Sequence, residues 1–285
     1  MNMKNITLLI FLTFLFSSCS KKTVIDSELE TLEIKPRNFS LIDTTFYENK
    51  KIKALRLIVT NTEYVDVTFY ESGKKKSIGP VKNGQCHNKY IDWYENGKLK
   101  WTREYSYGNQ IGRNIEYQEN GNLKMTYDND AKETTEYWEN GKPKMKFKEK
   151  GFQYFYYTNG NFLDKYDPVK EGEYFAKFFN ENGGNVFSGC YKSNILYKDN
   201  IKYSGKIICF FKNGKISHYE ELIDGIDVGK FYGSYGNGIL KYEGEYENGK
   251  EVFYKCYFEN GKVNFIRDGK NKTFTQWDEK GNLIK

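Results

Sequence analysis

A nine-residue phrase, WYENGKLKW at 93–101, returns in altered form as YWENGKPKM at 137–145, FFKNGKISH at 210–218 and YFENGKVNF at 257–265. Aligned on its glycine, it recurs at Gly73, Gly97, Gly121, Gly141, Gly160, Gly183, Gly214, Gly238, Gly261 and Gly281, at intervals of 24, 24, 20, 19, 23, 31, 24, 23 and 20 residues. Periods of roughly 20–50 residues mark repeat architectures, in which each unit buries its apolar face only against its neighbours. A further copy, FYENKKIK at 46–53, carries Lys50 where the glycine belongs, as a degenerate capping repeat does.

The repeat reads as a hairpin. Four residues before the glycine an aromatic stands in nine of ten copies: Phe69, Trp93, Tyr117, Tyr137, Tyr156, Phe179, Phe210, Tyr257 and Trp277. Two residues after it an apolar residue stands in seven, and eight glycines follow Asn. Asn-Gly between alternating segments is the strongest short-range hairpin signal, because both residues tolerate positive φ. A second set of turns falls about midway, at Asn83-Gly84, Gly108-Asn109, Asp128 to Asp130, Lys150-Gly151, Asp224-Gly225, Asn248-Gly249 and Asp268-Gly269. Turns this closely spaced predict a continuous antiparallel meander, with the quoted phrase as one turn and its copies as successive turns along one edge.

Register follows from which aromatic recurs. A two-residue loop at Asn96-Gly97 would pair Tyr94 with Leu99, whereas a three-residue loop with Gly97 left-handed and a bulge would pair Trp93 with Leu99. Trp93's position is aromatic in nine copies and Tyr94's in seven, so the bulged register is expected. It would place Ile91, Trp93, Leu99 and Trp101 on one face and Lys98, Lys100 and Thr102 on the other.

Composition agrees. The chain has 25 Tyr, 21 Phe and 4 Trp, yet its mean hydropathy is −0.78 and 29% of its residues are charged. Abundant aromatics with few aliphatics suit half-buried pleated faces better than a thick core. The formal charge of +6 is modest and mixed in sign, so a solvated face accounts for it and no nucleic-acid partner is expected.

The units YENGKLK, YWENGKPK, FKNGKIS and YFENGKV resemble the MORN-repeat variant of bacterial proteins often labelled antitoxins, and YEGEYENGK at 242–250 resembles the parent MORN motif. The resemblance covers residues 46–285 and implies an all-β fold, an elongated, twisted antiparallel meander of stacked hairpins. It is poor for function, since such repeats serve as scaffolds and binding surfaces in unrelated settings. Two irregularities stand out. The interval 183–214 is long, and Pro168 interrupts YDPVKEGEYF at 166–175; a loop or kink is expected there, because proline cannot serve in a central strand.

The N-terminus carries a separate message. Lys4 precedes an apolar run from Ile6 to Phe16, followed by Ser17, Ser18 and Cys19. Eleven residues are too few to cross about 30 Å of hydrocarbon, so an export signal is expected rather than a membrane span. FSSC resembles a bacterial lipobox, with Phe16 in place of the usual Leu, and this implies lipidation of Cys19. The domain reading is a lipoprotein signal peptide at 1–18, a lipid-anchored tether at 19–45 and the repeat array at 46–285. The same resemblance implies, for a host with two membranes, an outer-membrane anchor facing the periplasm, because Ser20 stands where a retention signal would place Asp; cell-surface display is the alternative.

Chemistry-bearing constellations are sparse. His87 and His218 are the only histidines, and no serine elbow, HExxH, CxxC or glycine-rich phosphate loop occurs. Cys86-His87 lacks the further ligands that zinc needs. Cys190 and Cys209 lie near the two ends of the long interval and allow a disulfide, though small buried strand residues are the favoured reading for all four later cysteines. Asp164, Asp167 and Glu220 are the candidate carboxylates for hydrolysis of an envelope glycan. The reading preferred over that one is a non-catalytic scaffold or binding protein of the bacterial envelope. It has no cofactor and no metal, its partner is another protein, and a glycan or anionic lipid is the lesser partner reading; an immunity protein that neutralises a toxin is the second alternative. Replacing Cys19 with Ala is expected to move the protein from the membrane to the soluble fraction of fractionated cells, and mass spectrometry of the native N-terminus should show an acylated Cys19; a Cys19→Ala protein still sedimenting with membranes would refute the anchor.

Overall fold

The computed structural model describes residues 40–284, and among these there is no helix. The signal peptide, Cys19 and the tether as far as residue 39 lie outside the described residues. Two compact units divide after Asp130. In each, strands pair antiparallel with their chain neighbours, the all-β meander of hairpins that the turn spacing predicts. The first unit holds nine strands, from Ser40–Phe46 to Leu123–Asp128. The second holds two runs of eight, Glu133–Tyr137 to Ile201–Lys202 and Gly205–Phe210 to Thr273–Gln276. The first strand starts inside the segment expected as tether, and Phe46 pairs with Ile52 around Lys50, whose φ of 64° puts it in the conformation the missing glycine would adopt.

The bulged register holds. Trp93 pairs with Leu99, and Phe69–Lys75, Tyr117–Leu123, Tyr137–Pro143, Tyr156–Phe162, Phe179–Asn185, Phe210–Ile216, Tyr257–Val263 and the bridge Trp277–Leu283 repeat the pairing. At each turn the residue three before the glycine closes a tight loop. Tyr94 N–H donates to Lys98 O at 2.8 Å and accepts at its carbonyl from Gly97 N–H at 2.9 Å. Gly97 has φ +87°, which L side chains rarely adopt. Asn96 is not left-handed here. Its side chain instead accepts the Lys98 N–H at 2.9 Å, so Asn precedes Gly as a side-chain cap. Midway turns such as Asn83-Gly84, Asp224-Gly225 and Asn248-Gly249 do hold both residues at positive φ, as two-residue hairpin loops require.

The recurring polar residues tie each turn to the next within a unit. The Tyr three before the glycine donates its hydroxyl to the carbonyl four before the next glycine: Tyr47 to Phe69 O at 2.7 Å, Tyr70 to Trp93 O at 2.8 Å, Tyr94 to Tyr117 O at 2.9 Å, Tyr235 to Tyr257 O at 2.8 Å. The Asn donates Nδ2 one turn along, as Asn96 does to Glu119 O at 2.8 Å and Asn140 to Thr158 O at 2.7 Å. The Lys after the glycine donates Nζ to the same neighbouring turn, Lys142 to Asn159 O at 2.6 Å and Lys215 to Asn237 O at 2.8 Å.

One face assignment is corrected. Trp101 pairs with Asp92, and Ile91 pairs with Thr102, so Trp101 and Ile91 face opposite ways. The cause is a second bulge at Lys100, three residues past the glycine, which advances the register by one and flips every later side chain. The extra residue has its own use: Lys53, Lys76, Lys100 and Lys144 lie over the rings of Tyr47, Tyr70, Tyr94 and Trp138 at 5.5–5.7 Å. Pro168 is a second correction. It lies within the strand Phe162–Lys170, opposite Tyr174 and next to a register irregularity at the hairpin end, where the missing N–H is tolerated. The long interval holds an added hairpin, Ile195–Lys198 with Ile201–Lys202, after which the chain starts the second sheet of its unit.

Burial follows the pleat. In the first unit Leu55, Val67, Ile78 and Ile91 are successive cross-strand partners on one face. In the second, Ala176, Phe178, Phe187 and Leu196 from one sheet pack with Ile207, Cys209 and Leu222 from the other. Tyr94→Phe, which removes only the hydroxyl that reaches the next turn, is expected to lower stability by about 1 kcal/mol in denaturant titrations. Tyr105→Phe, whose hydroxyl accepts only from the exposed Gln110 side chain, should stay within about 0.5 kcal/mol.

Candidate binding site

Beyond the second bulge, positions four and six residues past the glycine are buried or half-buried in four copies of the 131–285 unit. Gly183 is followed there by Phe187 and Gly189, both apolar or small. The other three carry polar groups: Gly160 is followed by Asp164 and Tyr166, Gly214 by His218 and Glu220, and Gly238 by Tyr242 and Gly244. The repeat therefore sets a polar cluster between two sheets. His218 Nδ1 and the Tyr242 hydroxyl are 2.9 Å apart, Nε2 lies 3.2 Å from Glu220 Oε2, and Phe178 stacks on the imidazole at a centroid distance of 5.5 Å. Asp164 Oδ1, His218 Nε2 and Glu220 Oε1 are buried without a hydrogen bond. The Nε2 contact with Glu220 thus has the distance of an ion pair but not the alignment of a hydrogen bond.

Burial, with the charge of Glu220 nearby, pushes the Asp164 carboxyl up to about 7 against the pull of His218 and Lys241. Burial works against the His218 imidazolium, but Glu220 and Asp164 more than offset it and hold it above the ordinary range. Burial and the proximity of Lys144 lower Lys241, the extra bulge residue of its turn, which lies 5.7 Å over the Trp138 ring. Beside the cluster opens a cleft of about 480 Å³, lined by Tyr166, Tyr174, Tyr191 and Tyr246 with Glu220 and Asp227. Burial, then Glu220, pushes the Asp227 carboxyl up to about 6. Tyr166 and Tyr191 lie 6.3 Å apart, and burial together with Glu220 and Asp164 raises both hydroxyls well above the usual range.

Of the three candidate carboxylates, Asp164 and Glu220 meet inside, whereas Asp167 is on the opposite face, accepting from the Tyr154 hydroxyl. His87 is far in sequence from this cluster and accepts the Tyr107 N–H at 3.4 Å. Cys86, Cys190, Cys209 and Cys256 are all free thiols, and burial pushes that of Cys209 up to about 12. Asp227, Tyr174, Tyr191 and Tyr246 escaped the sequence reading. Asp164 and Glu220 are legible in the sequence as candidate carboxylates, but their common inward direction depends on the second bulge, which the sequence does not show.

No protein-family model matches the chain, and no curated protein matches it. Solved structures with local likeness include a mutant of S. aureus TarM in complex with fondaparinux, alpha-GlcNAc-glycerol and UDP, at 16% identity and a TM-score of 0.26 over 40% of this chain. Another is TcdB2-TccC3-TEV, at 8% identity and a TM-score of 0.20 over 85% of this chain. This chain spans 24% and 12% of those two proteins. At these scores neither likeness bears on its fold or its function.

The folded chain holds the protons of Asp164 and His218 more tightly than the unfolded chain does, so stability should fall as pH rises from about 4 through 7. Urea unfolding is expected to give a loss on the order of 2–4 kcal/mol between pH 5 and 8. Asp164→Asn should flatten that slope and stabilise the protein at pH 8; an unchanged slope would contradict the placement of Asp164.

Proposed function

We propose that this chain is a non-catalytic binding module of the bacterial cell envelope, held at a membrane by a lipid on Cys19, with the cleft of its 131–285 unit as the recognition site for a partner protein. The repeat is of the MORN-variant type on this reading, and the anchor faces the periplasm. One observation carries it. The recurring Tyr, Asn and Lys are engaged in hydrogen bonds between turns, whereas the non-recurring Tyr174, Tyr191, Glu220 and Asp227 converge on an open cleft. The uniform part of the molecule builds, and the departures from uniformity bind. An immunity protein is the special case in which the partner is an exported toxin.

A glycan hydrolase is the second reading, favoured only by the convergence of Asp164 and Glu220. Mild cross-linking of intact envelopes followed by affinity recovery is expected to capture a partner on the wild-type protein and lose most of it on Tyr174→Ala. Recovery of uncross-linked protein alone would reject the module reading, and hydrolysis of envelope glycan abolished by Glu220→Gln would replace it.

A further inference from the structure

The cleft has a chemical bias that the rest of the molecule brings out. Lysines and arginines cover aromatic rings throughout both units, among them Arg56 over Tyr64 at 4.2 Å, Arg103 over Trp101 at 4.2 Å and Lys255 over Tyr257 at 4.8 Å. Among the described residues none lies over Tyr166, Tyr174, Tyr191 or Tyr246, the four tyrosines of the cleft. Some carboxylates elsewhere are paired in the same way, as Asp66 is with Arg56 and Glu251 with Arg267 at 2.7 Å in each case. Asp227 takes part in none of the ion pairs among the described residues, and Glu220 meets only His218, with its Oε1 left buried and unbonded. The same cleft thus collects tyrosine rings with no cation over them and two carboxylates without a lysine or arginine partner, groups that at several other places in this chain meet its own cations.

We propose that the cleft recognises an organic cation, an ammonium or guanidinium group set against the tyrosine rings and held by Glu220 and Asp227. This deepens the binding reading and rests on it for the site. A ring face attracts a cation through its quadrupole, and the attraction grows as water is excluded. Carboxylates crowded in a half-buried space repel one another, and an entering positive charge relieves that repulsion. Lys148 and Lys150 also line the cleft and oppose a cation. Lys150 is exposed and Lys148 only half-buried, so water screens their charges more than it screens the carboxylates beneath. At about 480 Å³ the cleft admits such a group together with the stem that carries it. The group has two sources, a free amine or a basic side chain of a partner protein. A neutral sugar would use the rings but leave the acidic charge unanswered.

The experiment titrates the purified chain with agmatine, with the tripeptide amide acetyl-Gly-Arg-Gly and with methyl glucoside, following tyrosine ring resonances by NMR. Saturable shifts with one or both cations, at a Kd of roughly 1 mM or tighter, are expected, with binding at least tenfold weaker in Asp227→Asn and in Tyr174→Ala. Circular dichroism and thermal melting confirm that both variants fold, and Glu220→Gln is the replacement for any that does not. Tighter binding of the tripeptide identifies a partner's side chain as the source, and tighter binding of agmatine identifies a free amine. Shifts with neither cation, equal affinity for methyl glucoside, or wild-type affinity in the folded variants would overturn the proposal. A cross-linked partner that both cations fail to displace leaves the binding module standing and removes the cation. Cation binding in a protein that captures no partner does the reverse.

Discussion

Everything in this structure depends on the hydrogen bonds that one repeat turn makes to the next. A two-stranded hairpin is marginal alone, because fixing its backbone costs about as much as its few contacts return. Here Tyr94, Asn96 and Lys98 each donate to a carbonyl of the following turn, which satisfies backbone groups that would otherwise face water at the sheet's edge. At about 0.5–1.5 kcal/mol each, no single bond decides the fold. Several per turn, repeated along a unit, make the stack self-consistent and pin its register.

That register has a consequence for the interior. The left-handed glycine and the bulge three residues later together decide which side chains point between the sheets. After Gly183 those positions carry Phe187 and Gly189. Where they carry Asp164, His218 and Tyr242, the same geometry brings together groups that are far apart in the chain. A polar interior is expensive, and the unbonded oxygens of Asp164 and Glu220 show that the expense is not fully offset. Such groups weaken a scaffold, and their convergence beside an open cleft is what the proposed binding reading draws on.

The meander, its turn positions and the pairing of Trp93 with Leu99 were all legible in the sequence, because turn chemistry is local and an aromatic period survives substitution. The second bulge was not. A lysine at position 100 reads as an ordinary solvent-facing residue, and only its placement over Tyr94 explains why the strand spends an extra residue there. Missing it put Trp101 on the wrong face and hid the inward direction of Asp164 and His218. Tyr174 and Asp227 were illegible for another reason: the cleft is formed by strands from two sheets, and their juxtaposition is tertiary. The capping role of Asn96 needed geometry to see, since cap and left-handed residue favour the same amino acid.

The proposed division between a repeat that builds and departures that bind depends on the register of the repeat turns. Side-chain nuclear Overhauser effects across those turns test it most directly. The account predicts contacts between Trp93 and Leu99, Tyr117 and Leu123, and Tyr257 and Val263, together with contacts between Trp101 and Asp92 rather than Ile91. Contacts of Leu99 with Tyr94, repeated at the other turns, would describe a two-residue loop without the bulge, and would contradict it.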